Sequence, residues 1–190
     1  MSVEFSANLG FLWKDRPFLE RIAAAKAADF PFVEFHDQAQ DEDPAAIRAA
    51  LAGTPVVGLN VRHHDVNGLA ALEGREAEAS ADIAEAVATA KAIDAGAVHI
   101  MSGRNAGPGG AHRLAARLIE AADASPDLTF LIEPICDQAV PGYFLGTVEQ
   151  AAEILAKVGR PNVKIMFDCF HVQRAGGDIL ARYRTHKDVV

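Results

Sequence analysis

The sequence predicts an α/β fold in which about six consecutive β/α units form part of a (β/α)8 barrel, as a single domain over residues 1–190. Short apolar runs alternate strictly with amphipathic helical stretches, which is the pattern of a parallel sheet covered by helices. Polar residues follow several of these runs, where a barrel builds its active site; they are Asn8, His36, Asn60, Ser102, Glu133 and Asp168. The segment ANLGFLW lacks the GxGxxG spacing of a dinucleotide-binding turn, so the barrel is favoured over an open doubly wound sheet.

Six runs rich in β-branched and aromatic residues are predicted as strands. In chain order they cover residues 3–7, 32–35, 55–61, 97–101, 128–132 and 163–167. Helix-length segments separate them, so neighbouring strands are expected to pair in parallel through crossover connections.

The helices are marked mainly by their end residues. The first covers residues 17–28 and begins with a proline, and the second begins with Asp43 as N-cap and Pro44 at the first helical position. The third, residues 75–94, is predicted to end at Gly96. A fourth covers residues 111–122 and a sixth begins over residues 178–183.

The fifth helix has the clearest signals. Thr147 and Gln150 form a predicted capping box, and Gly159 ends an apolar face that repeats with helical period. This helix connects two runs, LTFLIE and NVKIMFD, that end in Glu133 and Asp168. Parallel neighbouring strands lie about 4.8 Å apart, so both carboxylates are expected at one edge of the sheet. Two acidic groups that close favour a proton or a divalent cation between them.

Composition excludes several classes of protein. The formal net charge of −8 argues against a nucleic-acid surface, which needs clustered Lys and Arg. No apolar run approaches the roughly 18 residues of a membrane span, and MSVEFSANLG has neither the basic nor the apolar region of a signal peptide. Two cysteines form no disulfide framework, so a cytoplasmic location with reduced thiols is expected.

Several motifs together resemble the hydroxypyruvate isomerase family of the xylose-isomerase-like TIM barrels. IEPI is followed by PGYFL, and KIMFDCFHVQR follows the fifth helix. FSANLGFLW, VEFH, GLNVR, GREAE and HIMSGR agree as well. The resemblance implies a divalent metal such as Mg²⁺ or Mn²⁺, with Glu133 and Asp168 as the ligands on strands five and six and two further ligands on strands seven and eight. Counterparts of those two are not found before residue 190.

The chemistry that the resemblance implies is interconversion of a small hydroxy-aldehyde acid and hydroxy-ketone acid, of the hydroxypyruvate and tartronate semialdehyde type, through an enediolate. A metal would stabilise the developing charge, and Glu133 would carry the proton. His171 matches the D-x-x-H motif and is expected to bind substrate. His36 and Arg62 fall at strand ends, and an Arg there can pair with a substrate carboxylate. Either is alternatively a surface side chain.

Other polar residues are expected to be structural. His63 and His64 are interpreted as solvated loop residues, and His99, inside an apolar strand, as a satisfied core histidine. Glu34 is equally compatible with a structural ion pair and a site role. Cys136 and Cys169 are interpreted as small loop or core residues rather than metal ligands.

Two alternatives stay open. One is a non-catalytic remnant of the fold, and the other is an endonuclease-IV-like hydrolase, against which the charge of −8 counts. A full barrel takes about 250 residues, so the open side of six units is expected to make the 190-residue chain inactive alone and to cause aggregation or homo-oligomer formation. The implied partner is a small hydroxy-carbonyl acid, with no nucleic acid and no membrane.

Overall fold

A computed structural model describes residues 3–190 as short parallel strands alternating with helices. The strands are β1 (Ser6–Asn8), β2 (Phe32–Glu34), β3 (Leu59–Asn60), β4 (Ala97–His99), β5 (Thr129–Ile132) and β6 (Val163–Ile165). The helices are α1 (Phe18–Ala27), α2 (Pro44–Leu51), α3 (Glu76–Ile93), α4 (Gly110–Ala124), α5 (Val148–Val158), α6 (Cys169–Ala175) and α7 (Ile179–His186). Two 3₁₀ turns cover Gln38–Asp41 and Lys187–Val189. The predicted α/β alternation is confirmed.

The strands follow one another in chain order around the sheet. β1 pairs with β2, and β3 to β6 form a second continuous parallel set. Single parallel bridges from Val56 to Val33 and to Ala95 join the two sets. Right-handed twist accumulates along such a series, so the six strands curve as a barrel wall with the helices outside it.

The regular strands are shorter than the sequence pattern predicts. Residues 3–5 lie outside β1, and in the predicted strand 55–61 only Leu59–Asn60 is regular. Pro55 has no N–H to donate to a ladder, and Val56 contributes only the single bridges described above. The apolar runs therefore locate the strands correctly and overestimate their length.

Two helix ends form as the sequence predicts. The Asp43 side chain accepts a hydrogen bond from the Ala45 N–H at 3.0 Å, with Pro44 in the first turn of α2. Thr147 Oγ1 accepts from the Gln150 N–H at 3.2 Å, and Gly159 ends α5 with a left-handed φ of 60°. The reciprocal bond of the capping box differs, because Gln150 Oε1 accepts from the Gly146 N–H.

Two other helix features differ from the prediction. Helix α3 ends at Asp94, whose φ is 59°, rather than at Gly96. Asp tolerates the left-handed region better than most side chains, so no glycine is needed there. Helix α6 follows β6 where the sequence predicts a loop, because Asp168 caps it and it is too short to show an apolar period.

The two faces of β5 have different surroundings. Phe130 and Ile132 are fully buried in the apolar core between sheet and helices. Leu131 and Glu133 point the other way and line a cavity inside the curved sheet. Because side chains alternate along a strand, Glu133 points into this cavity.

One side of the curved sheet has no covering strand among the described residues. There β1 pairs only with β2, β6 pairs only with β5, and the Phe5 side chain beside β1 is 67% exposed. Association through this side stays a prediction, which light scattering on the purified 190-residue chain would check.

Candidate active site

A cavity of about 760 Å³ opens at the carboxyl ends of the strands. Residues from all six strands or from the loops that follow them contribute to its walls. Its polar lining consists of Asn8, Lys14, Glu34, His36, Asn60, His63, Asn67, His99, Glu133, Asp168 and His171. An apolar body with a few convergent polar groups at this edge is typical of a ligand site.

Three side chains on one wall converge on a small volume. Glu133 follows β5, Asp168 follows β6, and His171 lies in the first turn of α6. One ligand atom from each lies within 4.8 Å of the other two. His171 Nε2 is 3.9 Å from Glu133 Oε1 and 3.9 Å from Asp168 Oδ2. The predicted convergence of the two strand-end carboxylates is therefore present in the structure.

Asp168 also organises the helix that carries His171. Its Oδ1 accepts hydrogen bonds from the backbone N–H groups of Phe170 at 2.6 Å and His171 at 3.3 Å. This is an N-cap, in which a side-chain oxygen satisfies donors of the first turn. Oδ2 faces the His171 ring. The same residue thus satisfies the helix N-terminus with one oxygen and offers the other to the cavity.

Burial and like charge act together on Glu133. Desolvation, the Asp168 carboxylate and the Glu34 carboxylate raise the pKa of Glu133 to about 8. The pKa of Glu34 is also raised, by burial, although hydrogen bonds with Asn8 and Ser6 act in the opposite direction. Three carboxyl groups therefore line one cavity. Their negative charge must be balanced there by bound protons or by positive charge.

The residues of this wall fit a divalent cation. Two carboxylates and one imidazole are suitable donors for Mg²⁺, Mn²⁺ or Zn²⁺, and their ligand atoms already lie together. Burial and then repulsion from the Asp168 and Glu34 carboxylates raise the pKa of Glu133, and a cation would relieve that repulsion.

A buried thiol contacts the His171 ring from its other edge. Cys136 Sγ lies 3.4 Å from His171 Nδ1, and the Cys136 residue is only 1% exposed. His171 Nε2 is then directed toward the carboxylates. The sequence places Cys136 near Glu133 but gives no sign that it reaches a residue 35 positions further on.

The opposite wall carries imidazole and amide groups. His36 follows β2, and His63 follows β3; their ring centroids are 5.0 Å apart. Asp37 Oδ2 accepts from the His63 backbone N–H at 3.1 Å and lies 3.2 Å from His63 Nδ1. Although burial acts in the opposite direction, these hydrogen bonds hold the pKa of Asp37 below its usual range. His63 therefore lines the cavity, which corrects its interpretation as a solvated loop residue.

His36 is held as a neutral imidazole. Burial and the neighbouring His63 lower its pKa to about 4, and Lys14 acts in the same direction. Phe11 packs edge-on against the ring with centroids 4.6 Å apart. Gly10 leaves room for the ring, because a Cβ there would lie 2.3 Å from His36 Cγ.

Arg62 does not reach the cavity. Its guanidinium donates to both carboxylate oxygens of Glu85 at 2.8 Å and to Asp41 at 2.7 Å. The bond with Glu85 and the one with Asp41 raise the pKa of Arg62. It is not among the described residues that line the cavity, so the sequence expectation of a substrate-binding Arg62 is corrected. Alternation from the inward-facing Asn60 would place Arg62 inward, but regular strand ends at Asn60 and the loop that follows turns His63 toward the cavity instead.

For Glu34 the structure agrees with one of the two open interpretations, and for His99 it differs from the interpretation as a satisfied core histidine. Glu34 has no ion pair among the described residues and lines the cavity. His99 is 3% exposed, but only its Nδ1 has a partner within the described chain. A carboxylate and an imidazole on inward strand positions are the signals that point to these two residues.

No helix in the described residues is both long enough and apolar enough to cross a membrane.

Comparisons with known proteins place these features in context. A family model described as xylose isomerase-like TIM barrel matches residues 22–190. A 2-oxo-tetronate isomerase from Cupriavidus necator is 34% identical, with 95% of this chain and 74% of that protein covered. Hydroxypyruvate isomerase from Escherichia coli (strain K12) is 30% identical, with coverages of 93% and 73%. A crystal structure of an AP endonuclease, family 2, from Brucella melitensis has a TM-score of 0.90 at 32% identity, covering 96% of this chain and 74% of that one.

Proposed function

The chain belongs to the xylose isomerase-like TIM barrel family, and from that premise we propose that it is a metal-dependent isomerase of small hydroxy-keto acids. The reaction interconverts a 2-oxo-3-hydroxy acid and its isomer with the carbonyl on the neighbouring carbon. Hydroxypyruvate and 2-oxo-tetronate are the substrates named for the relatives. The observation that carries the proposal is the convergence of Glu133, Asp168 and His171 within 4.8 Å in the cavity.

Isomerisation moves hydrogen without any net change in oxidation state. The C–H bond at the hydroxyl-bearing carbon breaks, a C–H bond forms at the former carbonyl carbon, and the hydroxyl proton moves to the other oxygen. One group must hold the carbon-derived proton between the two steps. Glu133 is suited to this role because its carboxylate lies in the cavity beside Asp168 and His171.

Glu133, Asp168 and His171 would hold the divalent cation, which when bound supplies positive charge next to the substrate oxygens. Asp168 keeps its orientation through the hydrogen bonds to α6. His171 lies between Cys136 and the carboxylates, and its Nε2 faces both of them. The enediolate that forms when the proton leaves requires this preorganised polar wall.

The opposite wall would bind the rest of the substrate. His36 is neutral and lines the cavity, so it can exchange hydrogen bonds with the substrate without adding charge. Lys14 is the Lys or Arg side chain found among the described lining residues. It lines the cavity and is exposed, which suits a substrate carboxylate.

Turnover of hydroxypyruvate and 2-oxo-tetronate with Mg²⁺ or Mn²⁺ tests the proposal. We expect activity that EDTA abolishes, and loss of at least about 100-fold in kcat for Glu133→Gln. Gln retains the shape of Glu but cannot accept the proton. Glu153→Gln, on the exposed face of α5, is the matched control and should leave kcat unchanged. Activity that persists in EDTA, or a Glu133→Gln variant as active as the control, would contradict the proposal.

A phosphodiesterase acting on DNA is a second candidate because the Brucella melitensis neighbour is named an AP endonuclease. The net charge of −8 and the three carboxyl groups in the cavity count against binding of a polyanion. Cleavage of an abasic-site duplex in place of isomerase activity would favour this candidate.

A further inference from the structure

Four side chains form one continuous hydrogen-bonded series across the wall opposite Glu133. His63 Nδ1 lies 3.2 Å from Asp37 Oδ2, and His63 Nε2 lies 3.4 Å from Asn60 Nδ2. Asn60 Oδ1 lies 3.3 Å from His99 Nδ1. The series begins outside β2, passes through β3 and ends on β4, inside the curved sheet.

The direction of donation along this series is determined at its first residue. An ionised carboxylate only accepts, so His63 donates from Nδ1 and presents a lone pair at Nε2. The Asn60 amide nitrogen donates to that lone pair. Its oxygen then accepts from His99 Nδ1. A neutral His99 with its proton on Nδ1 has a bare acceptor at Nε2.

The acceptor Nε2 of His99 is buried and has no hydrogen-bond partner among the described residues. The residue as a whole is 3% exposed. Burial, His63 and His36 lower the pKa of His99 to about 3, so protonation does not satisfy this nitrogen near neutral pH. A buried polar atom without a partner is uncommon and calls for an explanation. His99 lines the cavity, so a ligand can supply the donor.

We infer that His99 is a specificity-determining residue whose Nε2 accepts a hydrogen bond from a substrate hydroxyl. This inference rests on the proposed function for the identity of the ligand. Carbonyl and carboxylate oxygens cannot donate, so among the groups of a hydroxy-keto acid only a hydroxyl satisfies Nε2.

The ring can turn to meet the ligand. Nε2 is covered in the structure, but the χ2 torsion of His lies in a broad well. The 3.3 Å bond to Asn60 is at the long end of the hydrogen-bond range, which leaves room for a small rotation.

The strand register determines which hydroxyl is within reach. His99 pairs with Leu131, and Glu133, two positions after Leu131 and just past β5, lines the same cavity. Two residues of strand span about 6.6 Å. His99 therefore lies about that much further than Glu133 from the carboxyl ends of the strands. The reacting carbons lie near Glu133. His99 therefore contacts a hydroxyl on a carbon beyond the reacting pair, and the carboxylate end points to the exposed Lys14.

Two substrates that differ in that hydroxyl test the inference. One is 2-oxo-tetronate, and the other is its 4-deoxy analogue, which keeps the reacting carbonyl and hydroxyl. In the metal-loaded wild-type protein we expect kcat/KM to favour 2-oxo-tetronate by roughly 10- to 100-fold. His99→Phe should reduce this ratio to about twofold or less. His112→Phe, on the exposed face of α4, is the matched control and should keep the wild-type ratio.

Binding of an unreactive probe separates this inference from the proposed function. Threonate has the distal hydroxyl and the carboxylate but no carbonyl, and 2,3-dihydroxybutanoate lacks the distal hydroxyl. Calorimetry should show tighter binding of threonate to wild type and equal binding of both to His99→Phe, even if no substrate turns over. In ¹⁵N NMR of wild type, threonate should shift His99 Nε2 from the position of a bare acceptor. An unchanged preference in a folded His99→Phe, or an unmoved Nε2 signal with bound threonate, would overturn the inference.

Discussion

The Cys136 thiol lies 3.4 Å from Nδ1 of His171, while Nε2 of the same ring lies 3.9 Å from both Glu133 and Asp168. Cys136 therefore acts on the site only through His171, as a positioning residue. Removing its sulfur frees the ring at one edge. The orientation of Nε2 toward the carboxylates then loses the contact at Nδ1.

The variant Cys136→Ala should lower kcat by about five- to tenfold, since a net hydrogen bond is worth about 1 kcal/mol, with a smaller effect on KM. Cys136→Ser should recover most of the loss because a hydroxyl can replace the thiol. The exposed Cys169 offers a control, and Cys169→Ala should behave as wild type. A ¹⁵N spectrum in which the His171 signals are the same in wild type and Cys136→Ala would exclude the positioning role.

The buried acid should make the metal-free protein less stable as pH rises. The pKa of Glu133 is about 8 in the folded protein and near 4.5 in the unfolded chain. Between these values the folded protein binds the proton more tightly, so the free energy of unfolding falls through this interval by up to about 1.4 kcal/mol per pH unit. Glu133→Gln should flatten that slope.

Urea unfolding of the metal-free protein from below pH 5 to above pH 8 measures this effect. Glu73→Gln, at an exposed loop position, should keep the wild-type slope. Equal slopes for wild type and Glu133→Gln would show that Glu133 titrates as it does in the unfolded chain.

Substitution of Arg62 should affect stability slightly and catalysis hardly at all. The guanidinium bonds Glu85 and Asp41 at the surface, where such pairs contribute about 0.2–1 kcal/mol. Arg62→Ala should therefore keep kcat/KM within about twofold of wild type. Lys14→Ala removes a cation that lines the cavity and should raise KM for an anionic substrate. A larger KM increase for Arg62→Ala than for Lys14→Ala would reverse this assignment.

Addition of one methyl group at Gly10 should displace His36. The new Cβ would lie 2.3 Å from His36 Cγ, so the ring must move. We expect Gly10→Ala to lower kcat/KM about as much as His36→Ala, and the double variant to be no worse than His36→Ala. Gly146→Ala, which meets nothing within 4 Å, is the control. Strictly additive losses in the double variant would show that Gly10 acts independently of His36.

The predictable features were those that depend on local pattern. The ends of α2 and α5 follow from Asp43, Thr147 and Gly159, because caps act within a few residues. The meeting of Glu133 and Asp168 follows from parallel strands that end together. These inferences need only the alternation of elements and no detailed packing.

The features that were missed depend on contacts between distant segments. His63 enters the cavity because Asp37, 26 positions earlier, bonds both its backbone and its ring. Arg62 is turned away by Glu85, on a helix later in the chain. Neither pairing has a sequence signal. Helix α6 depends on one capping residue, Asp168. In the sequence alone, this Asp is equally compatible with a helix cap and with a metal ligand.

The capping bond of Asp168 has a consequence for ion selectivity. Oδ1 is engaged by two backbone N–H groups of α6, so only Oδ2 is free and the carboxylate can coordinate a cation only in a monodentate manner. Calcium takes six to eight oxygen ligands and often uses both oxygens of a carboxylate, whereas magnesium accepts single oxygens in an octahedral shell. For the proposed cation, the denticity of this one side chain would therefore disfavour calcium in competition with magnesium or manganese.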